Sequence, residues 1–399
     1  MKNLHLNLAL GASLLLAPFT STFAQSTWTD VDEFIVGTSG VSFGLAAIDN
    51  GVVFSTGSGN DLAGIQRAFV RRSLDAGQTW QTVCDLPNSA TSMSMAVTVG
   101  RRSGLVFATA TLRSPKNNGW NDWVTLRSAD GGTTWSKVDV ASPPNWKANA
   151  NAVVEDPAGR VFVGGWLGDA NNADHFVIRR SLDGGTTWKT VDDQSPGGLN
   201  QVLSLTATPA GVFAAGWLRN VWSVRRSTDG GTTWQTVDSF LAAPAGYASH
   251  ARGIAADASG NLFVTGQAEF LVNKVTHTHW ITRKSSDGGT TWRTVDDTLA
   301  DTNGTYGGYG FAVTVDAFGR VFATGTYPSL SGSVTTNHWI TRASADGGAT
   351  WTTTDDYIAL GGALGSAAAS DDAGNVFTAG KARTVLANPT AVVRKLVAP

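Results

Sequence analysis

The chain has 399 residues, with 29 Lys and Arg against 31 Asp and Glu and a net charge of −2. A balance so near neutral excludes a broad basic field, so neither nucleic acid nor an acidic lipid surface is an expected partner. Only 15% of residues are charged, while 46 are Gly and 15 are Trp, which points to an all-β fold with many tight turns.

Residues 1–24 open with Lys2 and His5, continue as an apolar run over 8–17, and end on small residues at Thr22-Phe23-Ala24. That order predicts a secretory signal peptide cut after Ala24. The run is too short to span a bilayer, and no other stretch is long enough. The expected mature protein is therefore residues 25–399, secreted or periplasmic, monomeric and without a membrane span. Its single Cys excludes an internal disulfide.

Residues 26–32 (S-T-W-T-D-V-D) copy the T-W-K-T-V-D of residues 187–192 but lack a turn before them. They predict a strand whose hairpin partner lies elsewhere. A repeating unit follows. Its first signature is a Gly leading into a Val/Leu-Phe pair, at residues 51–54, 104–107, 159–162, 211–213, 260–263, 319–322 and 374–377. Its second is the octapeptide S-x-D-x-G-x-T-W at 73–80, 128–135, 181–188, 227–234, 285–292 and 344–351. The residue types spell a hairpin turn. Asp75, Asp130, Asp183, Asp229, Asp287 and Asp346 accept from backbone N–H groups further along the turn, and Gly supplies a positive φ. Ser and Thr hydroxyls close the remaining bonds, and Trp starts the next strand with its ring buried. The carboxylates are thereby spent on their own turns, which marks all six as structural.

Between the two signatures runs a strand with alternating apolar residues and a recurring Arg, at Arg71, Arg179, Arg225, Arg283 and Arg342. A residue repeated once per unit reads as scaffold. Cys84 occupies a slot that other units fill with Asp, and a small residue at a strand end is the expected role there. His277 and His279 alternate along a strand and His338 repeats His279, which predicts packing rather than zinc. No metal and no cofactor are expected.

At the C-terminus, residues 392–395 (V-V-R-K) mimic 177–180 (V-I-R-R) and then stop before any octapeptide. The two ends complement each other: three strands from the C-terminus take a fourth from the segment around Trp28. Six repeats between Trp28 and Trp351 give about 54 residues per unit. The expected architecture is a single domain, an all-β seven-bladed propeller whose last blade is closed by both termini.

The octapeptide resembles the Asp-box, or BNR repeat, of the sialidase-like propellers. The resemblance covers the mature chain and implies that the face opposite these turns carries the site. Sialidases also carry an R-I-P motif, an arginine trio, a Tyr/Glu pair and an Asp acid. This sequence has no R-I-P, and no catalytic residue is carried over. Xyloglucan-active propellers use paired Asp, a role open to Asp169, Asp174 and Asp301.

Candidate ligand residues are then sought among those that do not repeat. Trp166 and Trp217 fall at equivalent places just past the second strands of adjacent blades. His250, Arg252, Tyr306 and Tyr309 enter inner strands, and Glu269, one of only three Glu, falls in a second-to-third-strand loop. Aromatic faces with planar polar groups suit a saccharide. The reading is a non-catalytic propeller that binds a glycan or a protein partner on its loop-rich face. The alternative is a glycoside hydrolase, exo-sialidase-like or polysaccharide-active, with a divergent catalytic site. A third is an assembly factor for a membrane complex.

Overall fold

The computed structural model describes residues 27–87, 92–242, 247–299, 307–331, 334–383 and 388–397. They form seven four-stranded antiparallel sheets, each taken in chain order except the last. The inner strands are Val41–Ile48, Ser92–Val99, Ala148–Glu155, Asn200–Thr208, Ser249–Ala256, Tyr309–Val315 and Ala363–Ser370. Each packs on the next, and the seventh packs on the first, which closes the ring. No helix among the described residues is long and apolar enough to cross a membrane.

The seventh blade takes Ala363–Ser370, Val376–Arg383 and Pro389–Val397 from the C-terminus and Thr27–Phe34 as its outer strand. Trp28 lies opposite Leu396 in that pairing and is buried with Phe322, Ala343 and Val376. The closure removes the open edge an incomplete blade would present.

Contacts between blades explain why both signatures repeat. Gly132 of the second blade has φ +90°, and a Cβ there would stand 2.6 Å from the Phe54 ring of the first. The same approach recurs as Gly185 on Phe107 and Gly231 on Phe162. The seventh blade has no octapeptide, yet Phe322 of the sixth meets the Trp28 ring edge-on at 6.3 Å, as Phe162 meets the octapeptide Trp234 at the same distance.

Within each octapeptide the Asp carboxylate is shared among donors of its own turn. In the fourth blade, Asp229 Oδ1 accepts from the Thr232 and Thr233 N–H groups and the Ser227 hydroxyl, while Oδ2 accepts from the Thr233 hydroxyl at 2.6 Å. Hydrogen bonding to the ionised form lowers a carboxyl pKa. The Thr79 hydroxyl is the main cause that takes Asp75 down to about 2, and the Thr291 hydroxyl does the same for Asp287.

The recurring Arg holds adjacent blades together. Arg179 reaches Asp139 of the preceding blade through two bonds of 2.7 and 2.8 Å, and also donates to Thr190 of its own blade. The fork recurs as Arg71–Asp32, Arg225–Asp192, Arg283–Asp238 and Arg342–Asp296, and Arg394 meets Asp355 and Asp30. Paired charges of this geometry tolerate burial.

The second-to-third-strand loop expected at Glu269 is a hairpin arm. The strands Leu262–Val272 and Val275–Ser285 turn at Asn273 and Lys274, both at positive φ. Val321–Ser331 and Val334–Ser344 form the corresponding arm of the sixth blade. Alternating Thr and His in V-T-H-T-H favours continued pairing over a loop. Glu269 therefore sits on a strand. Trp166 and Trp217 likewise lie inside their second strands, Val161–Gly168 and Gly211–Leu218, rather than beyond them.

Candidate functional site at the mouth of the axis

Every inner strand carries one bulge at the same place, and the extra residue comes at Phe43, Met95, Asn151, Leu203, Arg252, Phe311 or Ser366. A bulge gives one residue no partner and re-aims it. Phe43, Asn151, Leu203, Arg252 and Phe311 line a cavity of about 210 Å³ on the ring axis, together with residues from all seven inner strands. Small neighbours make room for this crowding. A Cβ on Gly253 would come within 2.8 Å of the Ala312 backbone in the next blade.

The bulge residues vary from blade to blade, with Phe at two of them, and Arg252 is the charged one. Its Nε donates to Gln267 Oε1, and its guanidinium lies 4.9 Å from the Phe311 ring centroid and 5.9 Å from that of Trp217. Among the described residues no carboxylate pairs with it, unlike the six Arg at the blade boundaries. Burial pulls the guanidinium to about 10, which still leaves it charged at neutral pH.

Trp217 and His250 stack across the boundary of the fourth and fifth blades, with centroids 3.9 Å apart and planes 23° apart. Gln267 lies opposite His250 in the pairing of the first two strands of the fifth blade, with its Nε2 3.3 Å from His250 Nδ1. Since the Gln267 Oε1 serves Arg252, its amide nitrogen donates to Nδ1 and leaves the proton on His250 Nε2. That Nε2 is buried without a hydrogen-bond partner, and so is Trp217 Nε1. Burial, followed by the Arg252 charge, holds the imidazole at about 4, so it is neutral at pH 7.

The structure thus brings together Trp217, His250 and Arg252, and places Tyr309 beside them through its stack on Phe311 at 6.4 Å. Trp166 is half-buried at the corresponding place one blade earlier and makes no ring contact with Trp217. Glu269 accepts from the Ala248 N–H at 2.7 Å, so one of its oxygens fastens a blade connection. Tyr306 and Asp301 lie outside the described residues. Asp169 caps its own loop through the Asn171 and Ala173 N–H groups, and the Ala173 N–H is the main cause that takes it down to about 2.

Gln267 and Phe311 were not singled out from the sequence. The signal available was a short pattern in the inner strands, a small residue on each side of a variable one: S-F-G, A-N-A, A-R-G, G-F-A and G-S-A. Three His outside this site, His175, His279 and His338, pair with a fourth-strand Asp, as in His279–Asp297 at 2.6 Å. Cys84 packs in an apolar cluster, and burial pushes its thiol up to about 11, far from a reactive thiolate. Among the described residues no group of three His, Cys, Asp or Glu is placed to hold a metal ion.

No protein-family model matches the sequence, and no curated protein matches it. Among solved structures, polysaccharide lyase Uly1 is similar with a TM-score of 0.58 at 10% identity, over 88% of this chain and 89% of that one. The α-L-arabinanase of Penicillium chrysogenum complexed with arabinobiose gives 0.49 at 16% identity, over 75% and 91%. Hadza microbial sialidase Hz136 gives 0.49 at 17%, over 73% and 65%. At these identities the likeness is one of fold.

Proposed function

We propose that the chain is an exported Asp-box propeller that binds an acidic saccharide at the mouth of its axis. The observation that carries the reading is the Arg252 guanidinium without a carboxylate, beside the partnerless Nε2 of His250; Trp217 Nε1 is also buried without a partner, as are five other Trp Nε1 atoms among the described residues of the ring. Buried donors are costly to leave unmade, so such a set is matched by a ligand rich in acceptor oxygens. A carboxylate or sulfate on a sugar supplies them, and the Phe311 and Tyr309 rings supply apolar faces for the pyranose. Uly1 is by name a polysaccharide lyase on the same ring fold, and its support is analogy at the level of fold.

Binding without turnover is favoured over glycoside hydrolysis. Most glycoside hydrolases use two carboxyl groups flanking the scissile bond, and sialidases a Tyr/Glu pair with an Asp acid, so either route needs carboxyl groups at the site. The described lining of the axial cavity contains no Asp or Glu, and Glu269 is already engaged.

Calorimetric titration with matched neutral and uronate-bearing or sulfated oligosaccharides tests the proposal, with product analysis on the same mixtures. Acidic oligosaccharides should bind in preference to neutral ones, and Arg252→Gln should erase that preference. Equal affinity for both classes in the parent, or cleavage that survives purification, would sink it.

A further inference from the structure

Three imidazoles stand at one repeated place, the residue before the buried aromatic of a third strand: His175 before Phe176, His279 before Trp280 and His338 before Trp339. Each Nδ1 meets a fourth-strand carboxylate, at 2.6 Å for Asp193 and Asp297 and 2.8 Å for Asp356. A carboxylate there holds the proton on Nδ1 and leaves Nε2 as the acceptor. What faces Nε2 differs in each blade. In the third blade it is Asp169 Oδ2 at 3.3 Å, and in the fifth the Phe270 ring lies on the imidazole with centroids 4.2 Å apart. In the sixth it is the Ser329 hydroxyl, 2.6 Å from Nε2.

We propose that Ser329, His338 and Asp356 form a nucleophilic site for acyl transfer from small activated esters, separate from the saccharide site and independent of it. A hydroxyl bonded to an imidazole that is itself oriented by a carboxylate is the arrangement that turns serine into a nucleophile. Repetition explains the His–Asp pair as scaffold. It does not explain the hydroxyl, which among the described residues only the sixth blade adds. Ser329 is exposed, and the Asp356 side chain is 49% exposed. The arm that carries Ser329 also outruns its neighbours. Among the described residues the inner strand pairs with it only as far as Thr326, and the fourth strand pairs with the arm's return strand only from Trp339 onward. Among the described residues nothing covers Ser329, so an ester reaches it from solvent.

In the first step Ser329 Oγ bonds to the acyl carbon while its proton passes to His338 Nε2. The bond from that carbon to the leaving alcohol breaks, and the alcohol takes the proton from His338. Water then attacks the acyl group, His338 accepts and returns its proton, and the carboxylic acid leaves with Ser329 restored. Asp356 touches neither reactant and acts as a positioning residue through the imidazole.

The test is reaction of the full mature chain with a fluorophosphonate probe, followed by peptide mapping, with p-nitrophenyl acetate as the turnover substrate. An adduct on Ser329 is expected, slowed about 100-fold or more in His338→Gln, the scale on which a positioned base acts. Ser329→Ala should lose ester turnover at an unchanged melting temperature, since the side chain is exposed. In Asp356→Asn the pH profile of labelling should move, which a merely structural role would not produce. A folded parent that forms no adduct at Ser329 would overturn the proposal, as would labelling at the parent rate in His338→Gln. An unmoved profile in Asp356→Asn would remove the carboxylate from the arrangement.

Discussion

Cys84 and Leu126 share one apolar cluster across the boundary of the first and second blades, where the other six boundaries each hold an Asp and an Arg. Both halves of the ion pair are replaced together. Removing one partner of a buried pair strands the other charge, whereas replacing both by apolar groups is nearly neutral.

The first prediction follows from that exchange. Cys84→Asp should destabilise by on the order of 2 kcal/mol, because the new carboxylate faces Leu126. Leu126→Arg alone should also destabilise. The double variant should recover much of the loss, with a coupling energy of about 1–3 kcal/mol. Urea melts of the four proteins measure it, and strict additivity would refute the equivalence of this boundary to the others.

A second prediction concerns the closure. Trp28→Ala takes a buried indole from against Phe322 and should cost about 3–5 kcal/mol. Removal of residues 25–36 should do more, since it also breaks the Asp32–Arg71 bridge and bares the edge of Pro389–Val397. Light scattering and thermal melts should show early melting with aggregation. A truncated protein that stays monomeric and melts with the parent would contradict the closure.

Stability should also depend on pH in two opposite senses. Burial outweighs the Arg394 partner and raises Asp355 from 3.8 to about 6, and burial likewise raises Asp32 and Asp238 despite their Arg partners. A raised carboxyl contributes stability that is fully present below pH about 4 and is lost as pH rises through 6. The turn carboxylates act the other way. Asp75 and Asp287, at about 2, contribute stability present above pH 4 and lost as pH falls toward 2. The melting temperature should therefore peak near pH 4. Asp355→Asn should flatten the fall between about pH 4 and 6, and a profile unaltered by that change would show that Asp355 titrates normally.

The ring was legible in the sequence because its parts repeat. Six octapeptides against seven Gly–Phe signatures left one unit incomplete, and Trp28 with residues 392–395 supplied what was missing. The cross-blade fork was half legible. Arg179 and Asp139 both recur, but they meet from different blades, 40 positions apart, and no local pattern joins them. The site was harder to read for the opposite reason. Each bulge breaks the period-two pattern at the residue that turns to the axis, so Phe311 reads as one more strand aromatic. Gln267 takes its meaning only from the Arg252 and His250 groups it joins. Glu269 reads as a loop residue, whereas the alternation of V-T-H-T-H in the facing strand carries the pairing past it and keeps it on Leu262–Val272.

The last prediction separates the two Trp residues that the sequence treats as equals. Trp217 stacks on His250, lies near Arg252 and holds a buried N–H without a partner, whereas Trp166 has none of these neighbours. Trp217→Ala should weaken saccharide binding by about 1–3 kcal/mol, the scale of a contact aromatic. Because Trp217 is only 7% exposed, that variant should also lose fold stability, which would confound the result on its own. Trp217→Phe keeps a ring against His250 and deletes the donor, so it should melt near the parent and still bind more weakly. Trp166→Ala should leave affinity for the acidic oligosaccharide within about twofold, a difference of roughly 0.4 kcal/mol. Calorimetric titrations of the three variants beside their melting curves decide the matter. Parent-like binding by Trp217→Phe would remove the indole N–H from the site, and an equal loss in Trp166→Ala would move the ligand outward from the axis to the rim.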